Sequence, residues 1–110
     1  MKIGIIGVGV IGSACKYGFE KLGHRVKTYD IAHGTKIEDV LDSEIVYICV
    51  PTPTGEGGSC DVSIVEKTIY ELKDKDYKGV IVIKSTVKPT TTERLRKETG
   101  LNICFVPEFL

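Results

Sequence analysis

The sequence predicts a doubly wound α/β fold with a parallel five-stranded sheet in the order 2-1-3-4-5. Apolar runs alternate with segments of helical periodicity along the 110 residues, which is typical of parallel sheets covered by helices. The first run, Ile3 to Ile6, contains no polar residue and ends at a glycine, as expected of a strand buried on both faces. This length suits one domain over residues 1–110.

The first half of the chain contains three predicted strands. After Ile3–Ile6, apolar residues spaced by three and four predict a helix that ends before Gly23. "RVKTYD" (25–30) is the second strand, a short helix covers residues 37–41, and "EIVYICV" (44–50) is the third strand. The residues predicted to form the buried face of the first helix are Ile11, Ala14, Cys15, Gly18, Phe19 and Leu22.

The second half begins with "PTPTGEGGSC" (51–60), whose prolines and glycines predict a loop. Asp61 is predicted to cap the next helix, in which Val62, Val65, Ile69 and Leu72 keep helical spacing. "GVIVIKS" (79–85) is the fourth strand and "NICFVP" (102–107) the fifth. Between them, Thr90 and Glu93 predict a capping box for a helix that ends near Gly100.

Charge and cysteine content restrict the function. Fifteen basic residues balance fifteen acidic ones, so nothing favours nucleic acid or an anionic membrane as a partner. The four cysteines lack metal-ligand spacing, which indicates free thiols in a reducing, cytoplasmic compartment and no metal site. Four glycines interrupt the apolar N-terminal run, which argues against a signal peptide, and no run approaches the roughly 18 residues of a membrane span.

"GVGVIG", from Gly7 to Gly12, is the most informative motif. It follows a predicted strand, opens a predicted helix, and is followed 18 residues after Gly12 by Asp30 at the end of the second strand. This context indicates a dinucleotide-binding Rossmann turn rather than glycines that merely turn the chain. Asp30 would accept hydrogen bonds from the ribose hydroxyls and repel a 2′-phosphate, so NAD is predicted in preference to NADP.

Each glycine of the motif has a distinct predicted role. Gly7 permits the tight turn, Gly9 lets the backbone approach a pyrophosphate, and Gly12 lets the helix pack close to the strand. The pyrophosphate then meets the N-terminus of the helix. The predicted contacts of this turn with the cofactor are Gly7, Val8, Gly9, Val10, Ile11 and Gly12.

Three further motifs follow in order: "VPTPT" (50–54), "KSTVKP" (84–89) and "VPEFL" (106–110). Together with the glycine turn they resemble the N-terminal NAD-binding domain of the UDP-glucose/GDP-mannose dehydrogenase family. The resemblance implies oxidation of the C6 hydroxyl of a nucleotide sugar to a carboxylate, with two NAD per turnover.

The resemblance also implies site residues. Thr86 would help to hold the water used in hydrolysis, Glu108 would work with that water or its proton, and residues 109–110 would begin a substrate-binding segment. Without the resemblance, Pro51 and Pro53 could simply end a strand, and the hydroxyls of Ser85 and Thr86 could satisfy backbone groups at a turn. The implied cofactor contacts after the third and fourth strands are Val50, Pro51, Thr52, Pro53, Thr54, Ser85 and Thr86.

The chain departs from the family pattern at three points. Only 19 residues separate Asp30 from Val50, "KPTTT" replaces a motif with glycine, and the sequence stops before the family's catalytic lysine, asparagine and cysteine. "GGSC" (57–60) resembles the family's cysteine motif, but different residues follow it and its position is wrong, so Cys60 is interpreted as a loop residue. The isolated chain is therefore expected to bind NAD without turnover.

Alternatives from other functional classes stay open. One is a stand-alone NAD-binding module, regulatory or vestigial, and another is an oxidoreductase of the 6-phosphogluconate or hydroxyacid type. A third is a flavodoxin-like or response-regulator fold, against which Asp30 and the second glycine argue. The sequence does not specify the sugar, and a homodimer is one of the oligomeric states that it leaves open.

Overall fold

The computed structural model describes residues 1–30, 34–52, 62–85 and 87–106. Its five strands form one parallel sheet in the order β2-β1-β3-β4-β5, which confirms the predicted topology. The elements are β1 (Lys2–Ile6), α1 (Val10–Lys21), β2 (Arg25–Tyr29), a 3-10 helix (Ile37–Val40), β3 (Ile45–Ile48), α2 (Ser63–Asp74), β4 (Val80–Ile83), α3 (Pro89–Thr99) and β5 (Asn102–Phe105).

The main core lies between the sheet and the helices α2 and α3, on what we call the α2 face. Val65, Ile69 and Leu72 of α2 are fully buried there, which confirms their predicted helical stripe. They pack with Leu95 of α3, with both apolar residues of the 3-10 helix, and with alternate residues of the strands: Ile6, Val46, Ile48, Ile81, Ile83 and Ile103.

The opposite side of the sheet, the α1 face, is covered by α1. Phe19 packs on Tyr47 of β3, with ring centroids 4.9 Å apart. The predicted buried stripe of α1 was too wide: Ile11, Cys15 and Phe19 are half-buried, whereas the other members are exposed. Periodicity identified the side that faces the sheet but not its width, which depends on how far the sheet extends beneath the helix. The exposed members are Ala14, Gly18 and Leu22.

The connection from β2 to β3 crosses over β1 at Gly4. A Cβ atom on Gly4 would lie 2.8 Å from Val40 Cβ and 2.9 Å from Ser43 Oγ. The missing side chain therefore makes room for the 3-10 helix directly above β1. Residues 34–44 contain no strand, so the shortened crossover is confirmed for the part that the structure describes.

The structure bears differently on the two helix caps that the sequence predicts, Asp61 for α2 and the Thr90–Glu93 capping box for α3. Helix α2 begins at Ser63 with Val62 at its N-cap position, and Asp61, the predicted cap, lies outside the described residues. The capping box of Thr90 and Glu93 is wrong, because α3 begins earlier, at Pro89, and both residues lie inside the helix. Proline is well suited to a first helical position, where its fixed φ fits and its missing N–H costs nothing. None of the described helices is long and apolar enough to cross a membrane.

Candidate cofactor-binding site

A cavity of about 260 Å³ opens at the carboxyl ends of the first three strands. The sheet contributes residues that follow or end β1, β2 and β3, and α2 forms the facing wall. Ligands of open α/β sheets bind at such a switch point, where successive connections run to opposite sides. The sheet residues that line the cavity are Ile6, Gly7, Tyr29, Asp30, Val50 and Pro51.

The glycine turn holds β1, α1 and the end of β3 in close contact. Gly7 has a φ of +92°, and a Cβ atom there would lie 2.8 Å from Cys49 C and Val50 N. A Cβ atom on Gly12 would lie 2.0 Å from the carbonyl oxygen of Gly7. Neither position accepts a side chain without moving the backbone. The predicted roles of these two glycines, turning and close packing, agree with this geometry.

Gly9 stands at the N-cap of α1, and a Cβ atom there would meet no atom of the described residues within 4 Å. Its carbonyl accepts a hydrogen bond from Ser13 N, at 2.9 Å, and no side chain of residues 1–30, 34–52, 62–85 or 87–106 caps the helix. The N–H groups in the first turn of any helix have no partner within that helix, and its dipole favours an anion there. This helix start, which no side chain in the described part of the chain caps, fits a dinucleotide pyrophosphate.

Asp30 ties the end of β2 to the glycine turn. Its Oδ2 accepts a hydrogen bond from Val8 N at 2.7 Å, and the carbonyl of Tyr29 accepts one from Gly7 N at 2.9 Å. Asp30 also lines the cavity. A carboxylate offers about four acceptor positions, and Val8 N occupies one of them.

The wall formed by α2 was not predicted from the sequence. Burial, together with the nearby Glu71 carboxylate, raises the pKa of Tyr29 above its ordinary value, which keeps the phenol neutral. Thr68 is buried and donates to Ile64 O at 2.8 Å. The helical spacing of the wall residues was a usable signal, because it defines a second face beside the predicted core stripe. The wall consists of Ile64, Lys67, Thr68 and Glu71.

Ser85 occupies a buried position at the end of β4. Its hydroxyl donates to Val50 O at 2.6 Å, and Oγ lies 3.3 Å from Ile48 O. The side chain thereby holds the end of β3 in place, and with it Val50 in the cavity wall. Direct contact between Ser85 and a cofactor stays a prediction.

The other predicted site residues divide into two groups. Val8 and Ile11 are half-buried around the turn, Val10 is the first residue of α1, and Thr52 is half-buried and is not among the residues that line the cavity. The second group lies outside the described residues and comprises Pro53, Thr54, Thr86 and Glu108, and Cys60, the predicted loop residue, lies outside them as well.

Comparison with known proteins gives a family match. Residues 32–110 match the model described as UDP-glucose/GDP-mannose dehydrogenase family, NAD binding domain. An uncharacterized protein of Methanocaldococcus jannaschii is 34% identical over 100 residues, which cover 84% of this chain and 11% of that protein. UDP-glucose 6-dehydrogenase of Haloferax volcanii is 31% identical over 91 residues, 69% of this chain and 21% of the relative. The chain thus spans about a tenth to a fifth of these relatives.

Solved structures agree on the fold. A UDP-glucose dehydrogenase from Pyrobaculum islandicum matches 99% of this chain and 36% of its own, with a TM-score of 0.78 and 26% identity. A UDP-D-ManNAc dehydrogenase from Pyrococcus horikoshii matches 100% of this chain and 37% of its own, with a TM-score of 0.81 and 24% identity. A Megasphaera elsdenii flavodoxin, with a TM-score of 0.59 and 14% identity, shares the fold alone.

Proposed function

Because the chain belongs to the UDP-glucose/GDP-mannose dehydrogenase family, we propose that it is the NAD-binding part of a nucleotide-sugar dehydrogenase. NAD is the cofactor of the matched domain. Several relatives are named for the oxidation of UDP-glucose or GDP-mannose. Oxidation of a nucleotide sugar at C6 is accordingly the activity that we propose for the whole protein.

One observation carries the proposed binding mode: Asp30 lines the cavity while its Oδ2 accepts a hydrogen bond from Val8 N, at 2.7 Å. This bond places the acid beside the start of α1. The α1 N-terminus would hold the pyrophosphate, Asp30 would accept from the ribose hydroxyls, and the largely apolar cavity against α2 would receive the adenine. Its volume of about 260 Å³ lies below the roughly 300–1,000 Å³ of whole-ligand pockets, which fits part of a dinucleotide.

The charges around the cavity favour NAD over NADP. Asp30 and Glu71 are both acidic and both line it, with Lys67 as the basic member of the lining. A 2′-phosphate on the adenosine ribose would be repelled by Asp30, which it would have to approach within hydrogen-bond distance.

Roles closer to the chemistry are proposed from the family motifs. Bound NAD accepts a hydride in this chemistry. Val50 to Thr54 and Ser85 would shape the cofactor site, Thr86 would hold the hydrolytic water, and Glu108 would take part in moving its proton.

The cofactor proposal is tested by calorimetry with NAD and NADP. We expect tighter binding of NAD, and Asp30→Ala should weaken it by a few-fold to tens-fold, since it removes charge-assisted hydrogen bonds of roughly 1.5–3 kcal/mol. Asp42→Ala is the matched control, because Asp42 is exposed and pairs with Lys2 at 3.3 Å. Equal or tighter binding of NADP to the unaltered chain would reject the proposal.

A second test concerns turnover. Residues 1–110 are expected to produce no sustained NADH absorbance with NAD and either UDP-glucose or GDP-mannose. The reason is that catalysis needs a thiolate, a base and a sugar pocket held rigidly against the nicotinamide, whereas the family match of this chain is to the NAD-binding domain. NADH production that Cys60→Ala abolishes would overturn this expectation and the interpretation of Cys60 as a loop residue.

A further inference from the structure

Thr35 makes two hydrogen bonds to the backbone of Asp30. The N–H of Asp30 donates to Thr35 Oγ1 at 2.7 Å, and the Thr35 hydroxyl donates to the carbonyl of Asp30 at 3.2 Å. A single side chain therefore satisfies both backbone groups of the residue that carries the candidate ribose-binding carboxylate.

The position of these groups in the sheet explains why they need such a partner. The carbonyl of Tyr29 accepts from Gly7 N and thus points toward β1. Backbone groups of successive residues in a strand point to opposite sides, so those of Asp30 point away from the sheet. β2 is an edge strand among the described residues, and no neighbouring strand pairs with this side. The Thr35 hydroxyl supplies the acceptor and the donor that an additional strand would otherwise supply on this side.

Asp30 is consequently held from two sides. Val8 N binds its carboxylate from the glycine turn, and Thr35 binds its backbone from the outer edge. The backbone bonds restrict φ and ψ at residue 30, and these angles set the direction in which the side chain leaves the strand. A carboxylate fixed in this way loses less conformational entropy when it binds ribose hydroxyls.

We propose that Thr35 is a positioning residue for cofactor recognition, which presents the Asp30 carboxylate to the ribose hydroxyls of the dinucleotide. This inference rests on the proposed function. The competing interpretation is that Thr35 only closes a turn and adds stability, and it predicts no effect on cofactor affinity.

The test replaces Thr35 by Val, which keeps the shape and removes the hydroxyl. We expect Thr35→Val to weaken the binding of NAD by about three- to ten-fold in calorimetry, which is the effect of losing one hydrogen bond. The affinity for NADP should change much less, so that the preference for NAD over NADP falls. Thr35→Ser retains the hydroxyl and should restore affinity to within about two-fold. Thr35→Ala provides a second variant without the hydroxyl if the valine variant does not fold.

Thr99 offers a matched control. Its hydroxyl also accepts from a backbone N–H, that of Leu101 at 3.2 Å, and donates to a backbone carbonyl, that of Leu95 at 2.6 Å. It lies at the end of α3 and does not line the cavity. Thr99→Val should lower thermal stability about as much as Thr35→Val and leave the affinity for NAD unchanged.

A double-mutant cycle shows whether Thr35 acts through Asp30. In the Asp30→Ala background, Thr35→Val should not lower the affinity for NAD any further, because there is no carboxylate left to position. An undiminished effect in that background would overturn the inference, as would unchanged affinity and unchanged cofactor preference in Thr35→Val alone. Failure of the unaltered chain to bind NAD would instead reject the proposed function.

Discussion

The two faces of the sheet are packed in different ways. On the α2 face, fully buried residues of α2, α3, the 3-10 helix and four strands form one apolar cluster. On the α1 face, the half-buried apolar residues that α1 contributes are Ile11, Cys15 and Phe19, and Leu22 at its end is 74% exposed. The start of α1 is instead fixed by the close approach of Gly12 to Gly7 O. The α2 face thus supplies most of the apolar burial, while backbone contact positions the helix start that fits a pyrophosphate.

The largest expected effect is on the α2 face. Leu72→Ala should lower the free energy of unfolding by about 2–5 kcal/mol, because Leu72 is fully buried and its loss leaves a cavity. Phe19→Ala on the α1 face should cost about 1–2 kcal/mol, since its ring is half-buried. Urea unfolding of both variants measures the difference. Equal losses would contradict the unequal contribution of the two faces.

A pH experiment sharpens the comparison on the α2 face. Burial raises the pKa of Tyr77 to about 12, and the phenol donates to Ser43 O at 2.9 Å. The folded state therefore favours the neutral phenol, and this stabilisation is complete below pH 10 and lost as the pH rises toward 12. Between these values the unaltered chain should lose on the order of 2 kcal/mol more than Tyr77→Phe, which has no such proton. Parallel pH profiles of the two chains would refute this prediction.

The smallest effect is expected at the end of α1. Leu22→Lys should change the free energy of unfolding by less than about 0.5 kcal/mol, because Leu22 is 74% exposed and a cation suits a helix C-terminus. Thermal unfolding is the measurement, with Phe19→Ala as the reference on the same helix. A loss comparable to that of Phe19→Ala would restore the wider buried stripe that the sequence predicted.

Part of the candidate site was predictable from sequence motifs. Gly7 and Asp30 were identified from a motif and its spacing, and Val50 and Pro51 from the family resemblance, and all four line the cavity. Tyr29 and the α2 wall were missed. Their side chains meet only because the chain returns to the same edge of the sheet, and helical spacing alone does not say which face of α2 meets that edge.

The sequence by itself determined the strand order, the glycine turn and the acid that follows β2, because each depends on spacings within a few tens of residues and on the absence of a Cβ atom at specified positions. Tertiary structure alone decided which residues of α1 are buried, which face of α2 closes the cavity, and that Thr35 binds the backbone of Asp30. These features depend on where separate elements come to lie against each other. Burial and hydrogen bonding are properties of that arrangement rather than of any local pattern.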